Sequence, residues 1–241
     1  MKLCLTFRKR QKNLMVFGRI GIFLNKQLFV KYNQELVKSV ICVQQRNISC
    51  KTMSKSALVI VAQGSEEMET IITVDMLRRG GVTVTLAGLD GCDPVLCSRQ
   101  VTLVPDKSLA DALAEKPQYD AVILPGGLEG SERFSKSEVV GTLLKEHEKS
   151  GKIIAAICAA PTAFVAHGVA QNKRVTSYPT TKDKITSGYT YVEGERVVVD
   201  GNVITSRGPG TAYWFGLTLI EQLTGKEAAD KVEKGMIITG Y

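Results

Sequence analysis

The sequence predicts a doubly wound α/β sandwich with a mainly parallel central sheet, and three observations lead there. Residues 57–62 form an apolar run without alternation, the pattern of a strand covered on both faces. Such runs return along the chain, separated by segments in which apolar residues recur at helical intervals. No internal repeat or low-complexity stretch breaks this order, so residues 53–241 read as one domain.

The first strand, 57–62, stops at Gly64. Residues 66–79 place Met68, Ile71, Ile72, Val74 and Leu77 at roughly helical spacing, with acids in the first turn, Arg78 and Arg79 in the last, and Gly80-Gly81 as the stop. A strand at 82–89, a short helix at 108–114, a strand at 121–124 and a polar-faced helix at 138–149, closed by Gly151, come next. Residues 152–157 are a further strand and 159–166 a further helix. After 174–177 the texture turns β-like at 189–192 and 196–205, with Asp200-Gly201 as a hairpin turn. Helices at 213–223 and 226–233 complete the domain.

Of the 241 residues 44% are hydrophobic, enough for a substantial core, and the formal net charge is +7. The charge is unevenly spread. Residues 1–52 hold seven lysines and four arginines against the single acid Glu35, whereas the remainder holds 20 basic and 23 acidic groups. The basicity therefore belongs to the N-terminal extension and gives no support to nucleic-acid binding by the fold. The extension resembles a mitochondrial presequence in composition, although Ser39 and Ser49 are its only serines. The alternative is an upstream segment with no address function. Arg19, Asn25, Lys26 and Gln27 interrupt its apolar stretch, which excludes a spanning helix, and the h-region and cleavage site of a secretory signal are missing. The six cysteines, Cys4, Cys42, Cys50, Cys92, Cys97 and Cys158, lack regular spacing, as expected of a reduced intracellular protein.

In sheets of this kind ligands bind beyond the carboxyl ends of the strands, and three features fall there. Around Cys158 a hydrophobic strand runs through small residues into a helix with an early Pro161. This is nucleophile-elbow architecture with Cys in place of Ser, and it predicts a thiol whose pKa a helix N-terminus lowers. The plain alternative is an inert buried cysteine. Glu66, Glu67 and Glu69 follow the first strand. They can simply complement the helix dipole, but a turn beside the elbow would bring one carboxyl, with a raised pKa, to the sulfur. Helical spacing puts Glu66 and Glu69 near one face, turns Glu67 away, and does not choose between the first two. Finally, Leu124-Pro125-Gly126-Gly127 lets backbone N–H groups point into the site as an oxyanion hole; a dinucleotide loop is the weaker reading because the full glycine spacing is missing.

His147 and His167 have no partner at ligand spacing and Cys92 and Cys97 form an isolated pair, so no metal is expected. His147, in a charged helix, is expected to be solvated, and His167, before Gly168, to end a helix.

Four motifs in order, SALVIVAQGSEEME at 56–69, LPGG at 124–127, AAICAAPT at 155–162 and TSRGPGT at 205–211, resemble the DJ-one/PfpI superfamily, in its Parkinson-associated protein deglycase branch. The resemblance covers essentially all of 53–241 and none of 1–52. It implies a flavodoxin-like homodimer without a cofactor, found in the cytoplasm and nucleus. It also implies Cys158 as nucleophile and redox-sensitive thiol, Glu69 as its carboxylate, and Gly126, Gly127 and Ala159 lining the oxyanion site. Arg99 and Arg207 match family arginines near the pocket or dimer interface. The implied activity is glyoxalase chemistry on methylglyoxal or deglycase chemistry on early glycated adducts, with protection from oxidative stress. The alternative is a redox-sensing, signalling or chaperone-like protein acting through oxidation of Cys158.

Two departures bear on mechanism. Ala159 stands where peptidase-like relatives carry a histidine, which disfavours peptidase chemistry. Tyr178 precedes Pro179 where the branch usually has histidine, and with an unperturbed pKa of about 10 a phenol is no imidazole base near neutral pH. It can still donate a hydrogen bond.

Overall fold

The computed structural model describes residues 54–185 and 187–238. The extension 1–52, with the targeting expectation attached to it, lies outside the described residues. In chain order the elements are β1 (Ser56–Val61), α1 (Glu67–Arg79), β2 (Thr83–Gly88), the two-residue strands β3 (Val95–Leu96), β4 (Thr102–Leu103) and β5 (Lys107–Ser108), then α2 (Leu109–Glu115). β6 (Ala121–Leu124), α3 (Leu128–Lys136), α4 (Glu138–Lys149), β7 (Ile153–Ile157) and α5 (Pro161–His167) complete the alternating part. The chain continues through β8 (Arg174–Val175), a 3-10 turn at Pro179–Thr181, α6 (Lys182–Ile185), β9 (Thr190–Tyr191), the hairpin β10 (Val197–Asp200) and β11 (Val203–Ser206), α7 (Ala212–Thr224) and α8 (Lys226–Gly235).

Seven strands form one sheet in the order β10-β11-β7-β6-β1-β2-β5. Every pairing in it is parallel except that of β10 with β11, the hairpin expected at Asp200-Gly201. Alternate residues of β1 serve opposite faces. Ala57, Val59 and Val61 join Met76, Leu77, Phe215 and Leu219 of α1 and α7, whereas Leu58 and Ile60 join Phe134, Leu144 and Phe164 of α3, α4 and α5. Each of these large side chains contributes about 1.5–3 kcal/mol by leaving water. Strand β1 lies between β2 and β6, so the chain leaves it in opposite directions, and a crevice opens beyond the carboxyl ends of β1 and β6. Among the described residues no helix is long and apolar enough to cross a membrane.

Two differences from the sequence expectation have local causes. Helix α3 was not anticipated, because Gly130, Ser131 and Ser135 dilute its periodicity. It forms around the fully buried Phe134, with the exposed pairs Arg133–Glu129 and Lys136–Glu132 one turn apart on its outer face. His147 is buried rather than solvated: it lies on the inner face of α4 with Nδ1 2.9 Å from the carbonyl oxygen of Leu143. Burial, the largest influence on it, pushes its pKa down.

Candidate active site

The candidate site is assembled from the turns after β1, β6 and β7, which the parallel pairing brings side by side. After β7 the chain turns at Cys158, whose φ of 64° lies in the left-handed region. Two neighbouring segments hold this backbone: its N–H donates to Ser206 O at 3.0 Å, and its carbonyl accepts from Tyr178 N at 2.8 Å. Helix α5 starts only at Pro161, so the sulfur projects from the turn ahead of it. Cys158 is 9% exposed, buried but not sealed.

Glu69 is brought here by the first turn of α1. Glu66 caps that helix, its Oε2 accepting from Glu69 N at 2.7 Å, and Glu66 N donates to Gly126 O at 2.9 Å, tying the β1–α1 turn to the β6–α3 loop. Glu69 is fully buried, and its Oε2 accepts from Gly126 N at 2.7 Å. Oε1 has no hydrogen-bond partner among the described residues, and the Cys158 thiol is near enough to the carboxyl to lower its pKa slightly against the effect of burial. Gly126 lies between the two side chains, for a Cβ there would come within 2.5 Å of both Cys158 Cβ and Glu69 Oε2. Gly127, at φ 87°, passes so close to Gly64 O that no side chain fits.

The electrostatics of the pair follow from burial. Loss of solvent raises the Glu69 pKa from 4.5 to about 8; the Gly126 N–H opposes this and the neighbouring Glu66 adds to it. Burial likewise raises the Cys158 thiol, helped by the Glu69 charge, while the nearby Gly127 and Ala159 N–H groups pull the other way. A thiol lowered by a helix N-terminus is therefore not what the fold produces, because desolvation outweighs two N–H groups. The pair titrates as a unit. It loses its first proton near pH 8, and burial together with the Glu69 charge keeps the proton that remains mainly on sulfur.

The other expected residues fall into two groups. Gly127 and Ala159 lie near enough to the sulfur for their N–H groups to oppose the rise in its pKa, but the Gly126 N–H is committed to Glu69 and is not open to an oxyanion. Glu67, expected to turn away, is buried, and its carboxylate accepts from Arg99 N at 2.8 Å and from Ser98 Oγ at 3.1 Å. Arg99 itself is exposed and close enough to Glu66 to oppose the rise in its pKa. Tyr178, 42% exposed, and Arg207 line an open cavity of ≈ 260 Å³ with Pro179, Pro209 and Thr211, next to the chain that binds the Cys158 carbonyl. Cys97 is buried and its thiol is pushed up to about 11 by burial, whereas Cys92 is exposed. Among the described residues no cluster of His, Cys, Asp or Glu could hold a metal ion. Ser206, whose carbonyl anchors the Cys158 N–H, was not foreseen, since only sheet pairing brings it near.

The profile of the DJ-1/PfpI family matches residues 55–222. Protein dj-1beta of Drosophila melanogaster is 54% identical over 186 residues, covering 77% of this chain and 98% of that protein. Its crystal structure superposes with a TM-score of 0.76, covering 78% of this chain and all of that one. The Parkinson disease protein 7 homologue of Danio rerio is 53% identical, covering 76% of this chain and 97% of that protein. Glutathione-independent glyoxalase DJR-1.2 of Caenorhabditis elegans is 42% identical, with the same coverage.

Proposed function

The chain belongs to the DJ-1/PfpI family, and from that premise we propose that it converts α-oxoaldehydes such as methylglyoxal into 2-hydroxy acids through Cys158, without a cofactor. The observation that carries this reading is the buried pair itself: the Glu69 carboxylate, fixed by the Gly126 N–H, and the Cys158 side chain flank Gly126 so tightly that a Cβ there would meet both. The Caenorhabditis relative's name, a glutathione-independent glyoxalase, fits a reaction whose thiol comes from the protein.

In this mechanism the thiolate attacks the aldehyde carbon, and the alkoxide takes the proton held on Glu69, giving a hemithioacetal. The Glu69 carboxylate then removes the proton on the former aldehyde carbon and returns it to the neighbouring ketone carbon, while the hydroxyl proton passes to the former ketone oxygen through the enediol. The resulting lactoyl thioester is cleaved by water, releasing lactate and restoring the thiol. Methylglyoxal and water make lactate, with no external oxidant or reductant. Early glycated adducts would enter through the same hemithioacetal. The Gly127 and Ala159 N–H groups serve the developing negative charge.

The test is lactate formation by the wild-type chain beside Cys158→Ser. Wild type is expected to form lactate and the variant to lose it by on the order of 10³-fold. Undetectable lactate in the wild type, or an undiminished rate in the variant, overturns the proposal. One observation favours a second reading: Tyr178 offers no imidazole at the rim, so turnover is slow and oxidation of Cys158 becomes the competing use of the site. Mass spectrometry after mild peroxide tests it. Oxygen uptake at Cys158 before Cys92 or Cys97 supports a redox sensor, and the reverse order removes it. Met68 and Ile71, 52% and 45% exposed on α1, support a homodimer, which sedimentation would detect.

A further inference from the structure

On the face of the sheet away from α1 and α7, helices α2 and α4 both contribute to one core, through Leu109 and Ala112 and through Val140, Leu143 and Leu144, yet they leave a groove between them. A cavity of ≈ 430 Å³ lies there, floored by Leu113, Pro117, Val139 and Leu143 and flanked by Glu138 and Glu146. Val139 also lines a second hollow of ≈ 390 Å³ with Leu89, Leu109 and the charged Asp90, Arg133 and Lys136, the two basic groups being paired with Asp90, Glu129 and Glu132. Val139 is 51% exposed, and nothing in the described fold covers it.

The acids give the groove its chemistry. Other acids nearby are paired, Glu132 with Lys136 and Glu115 with Lys107, but among the described residues neither Glu138 nor Glu146 has an ion-pair or hydrogen-bond partner for its carboxylate. Lys116, beside Pro117 on the opposite rim, is turned onto the Tyr119 ring at 5.3 Å. Glu138 and Glu146 are eight residues apart on one helix, hence about 12 Å apart along its axis. Two unneutralised negative charges thus bracket an apolar floor at a fixed spacing.

We propose that the α2–α4 groove is a docking site for a basic amphipathic helix from a partner protein. Two Lys or Arg residues seven positions apart, about 10.5 Å along a helix, would reach Glu138 and Glu146, while the apolar residues between them settle on Leu113, Val139 and Leu143. The apolar floor distinguishes this partner from a simple polycation, and the unpaired acids repel an anionic membrane surface.

The probe is a fluorescent helical peptide with two lysines seven residues apart and two leucines midway, titrated into the full chain by anisotropy. Saturable binding that weakens with added salt is expected. Glu138→Gln with Glu146→Gln should weaken it by about three- to tenfold, the effect of two exposed charge pairs. Val139→Asp should abolish it. All three positions are exposed, so the variants should keep the wild-type circular dichroism, and lactate formation, if present, should be unchanged. Absence of saturable binding, equal affinity in the wild type and both variants, or spermine binding as tightly as the peptide would overturn the proposal.

Discussion

The β1–α1 turn and the β7–α5 turn both carry a left-handed residue beside the candidate site, but the first uses Gly64 at φ 74° and the second Cys158 at φ 64°. For glycine that conformation is free of steric cost, whereas a residue with a Cβ loses roughly 1–2 kcal/mol. On the proposed reading, the difference follows from where each turn keeps its working side chain. Glu69 lies five residues beyond Gly64, inside a relaxed and capped helix, so the turn itself needs no side chain. The Cys158 thiol sits at the apex of its turn, and the left-handed backbone there is held by Ser206 and Tyr178.

The comparison is broken most severely by removing the partner that the relaxed turn delivers. Glu69→Gln keeps the shape but cannot exchange a proton with sulfur, and should lower kcat/KM by about 10²–10³-fold. The wild-type kcat/KM should rise with pH up to about 8, as the pair loses its first proton, and this inflection should vanish in the variant. Stability gives an independent readout. The fold raises this carboxyl from 4.5 to about 8, so its stabilising contribution is complete below 4.5 and lost as pH rises through 8, about 5 kcal/mol in all. Urea unfolding from pH 5 to 8.5 should therefore show Glu69→Gln gaining on wild type as pH rises.

Gly126→Ala tests whether the two turns must meet at contact distance. The new Cβ would press on Cys158 Cβ and Glu69 Oε2 at once, and separating them by an ångström should cost about 10²-fold in kcat/KM. Gly64→Ala acts only on the relaxed turn. Its Cβ would lie 2.5 Å from Glu129 Cβ at a left-handed φ, which should lower stability by about 1–3 kcal/mol in urea titration. With Glu69 still carried by α1, kcat/KM should change by less than about threefold.

The two turns were unequally legible in the sequence. The β7–α5 junction is a local feature, a strand, small residues, a cysteine and a proline, and periodicity alone located it. The same holds for β1, β6, α4 and the β10–β11 hairpin. The choice of Glu69 over Glu66 was not local. Both carboxyls sit at one helix start and both become buried; Glu66 bonds back to its own helix while Glu69 reaches Gly126, a distinction made by a loop 57 residues away. His147 was misjudged for the same reason, since its charged neighbours in sequence face solvent while its own side chain faces the sheet. The direction of the Cys158 shift also depended on burial, which a motif does not record.

Tyr178→His is the mildest change, because it touches neither the strained turn nor the carboxylate. The Tyr178 backbone N–H holds the Cys158 carbonyl, and a histidine backbone would do the same, so the geometry of the sulfur should survive. What changes is proton transfer at the rim: an imidazole can accept and return a proton near neutral pH, which a phenol there does not do. The side chain is 42% exposed and packs beside Gly208, where a ring of either kind has room. Lactate formation should rise about three- to tenfold at pH 7, in kcat more than in KM. An unchanged rate would mean that Glu69 alone carries the protons, leaving the β1–α1 turn as the sole source of acid–base chemistry for the strained thiol.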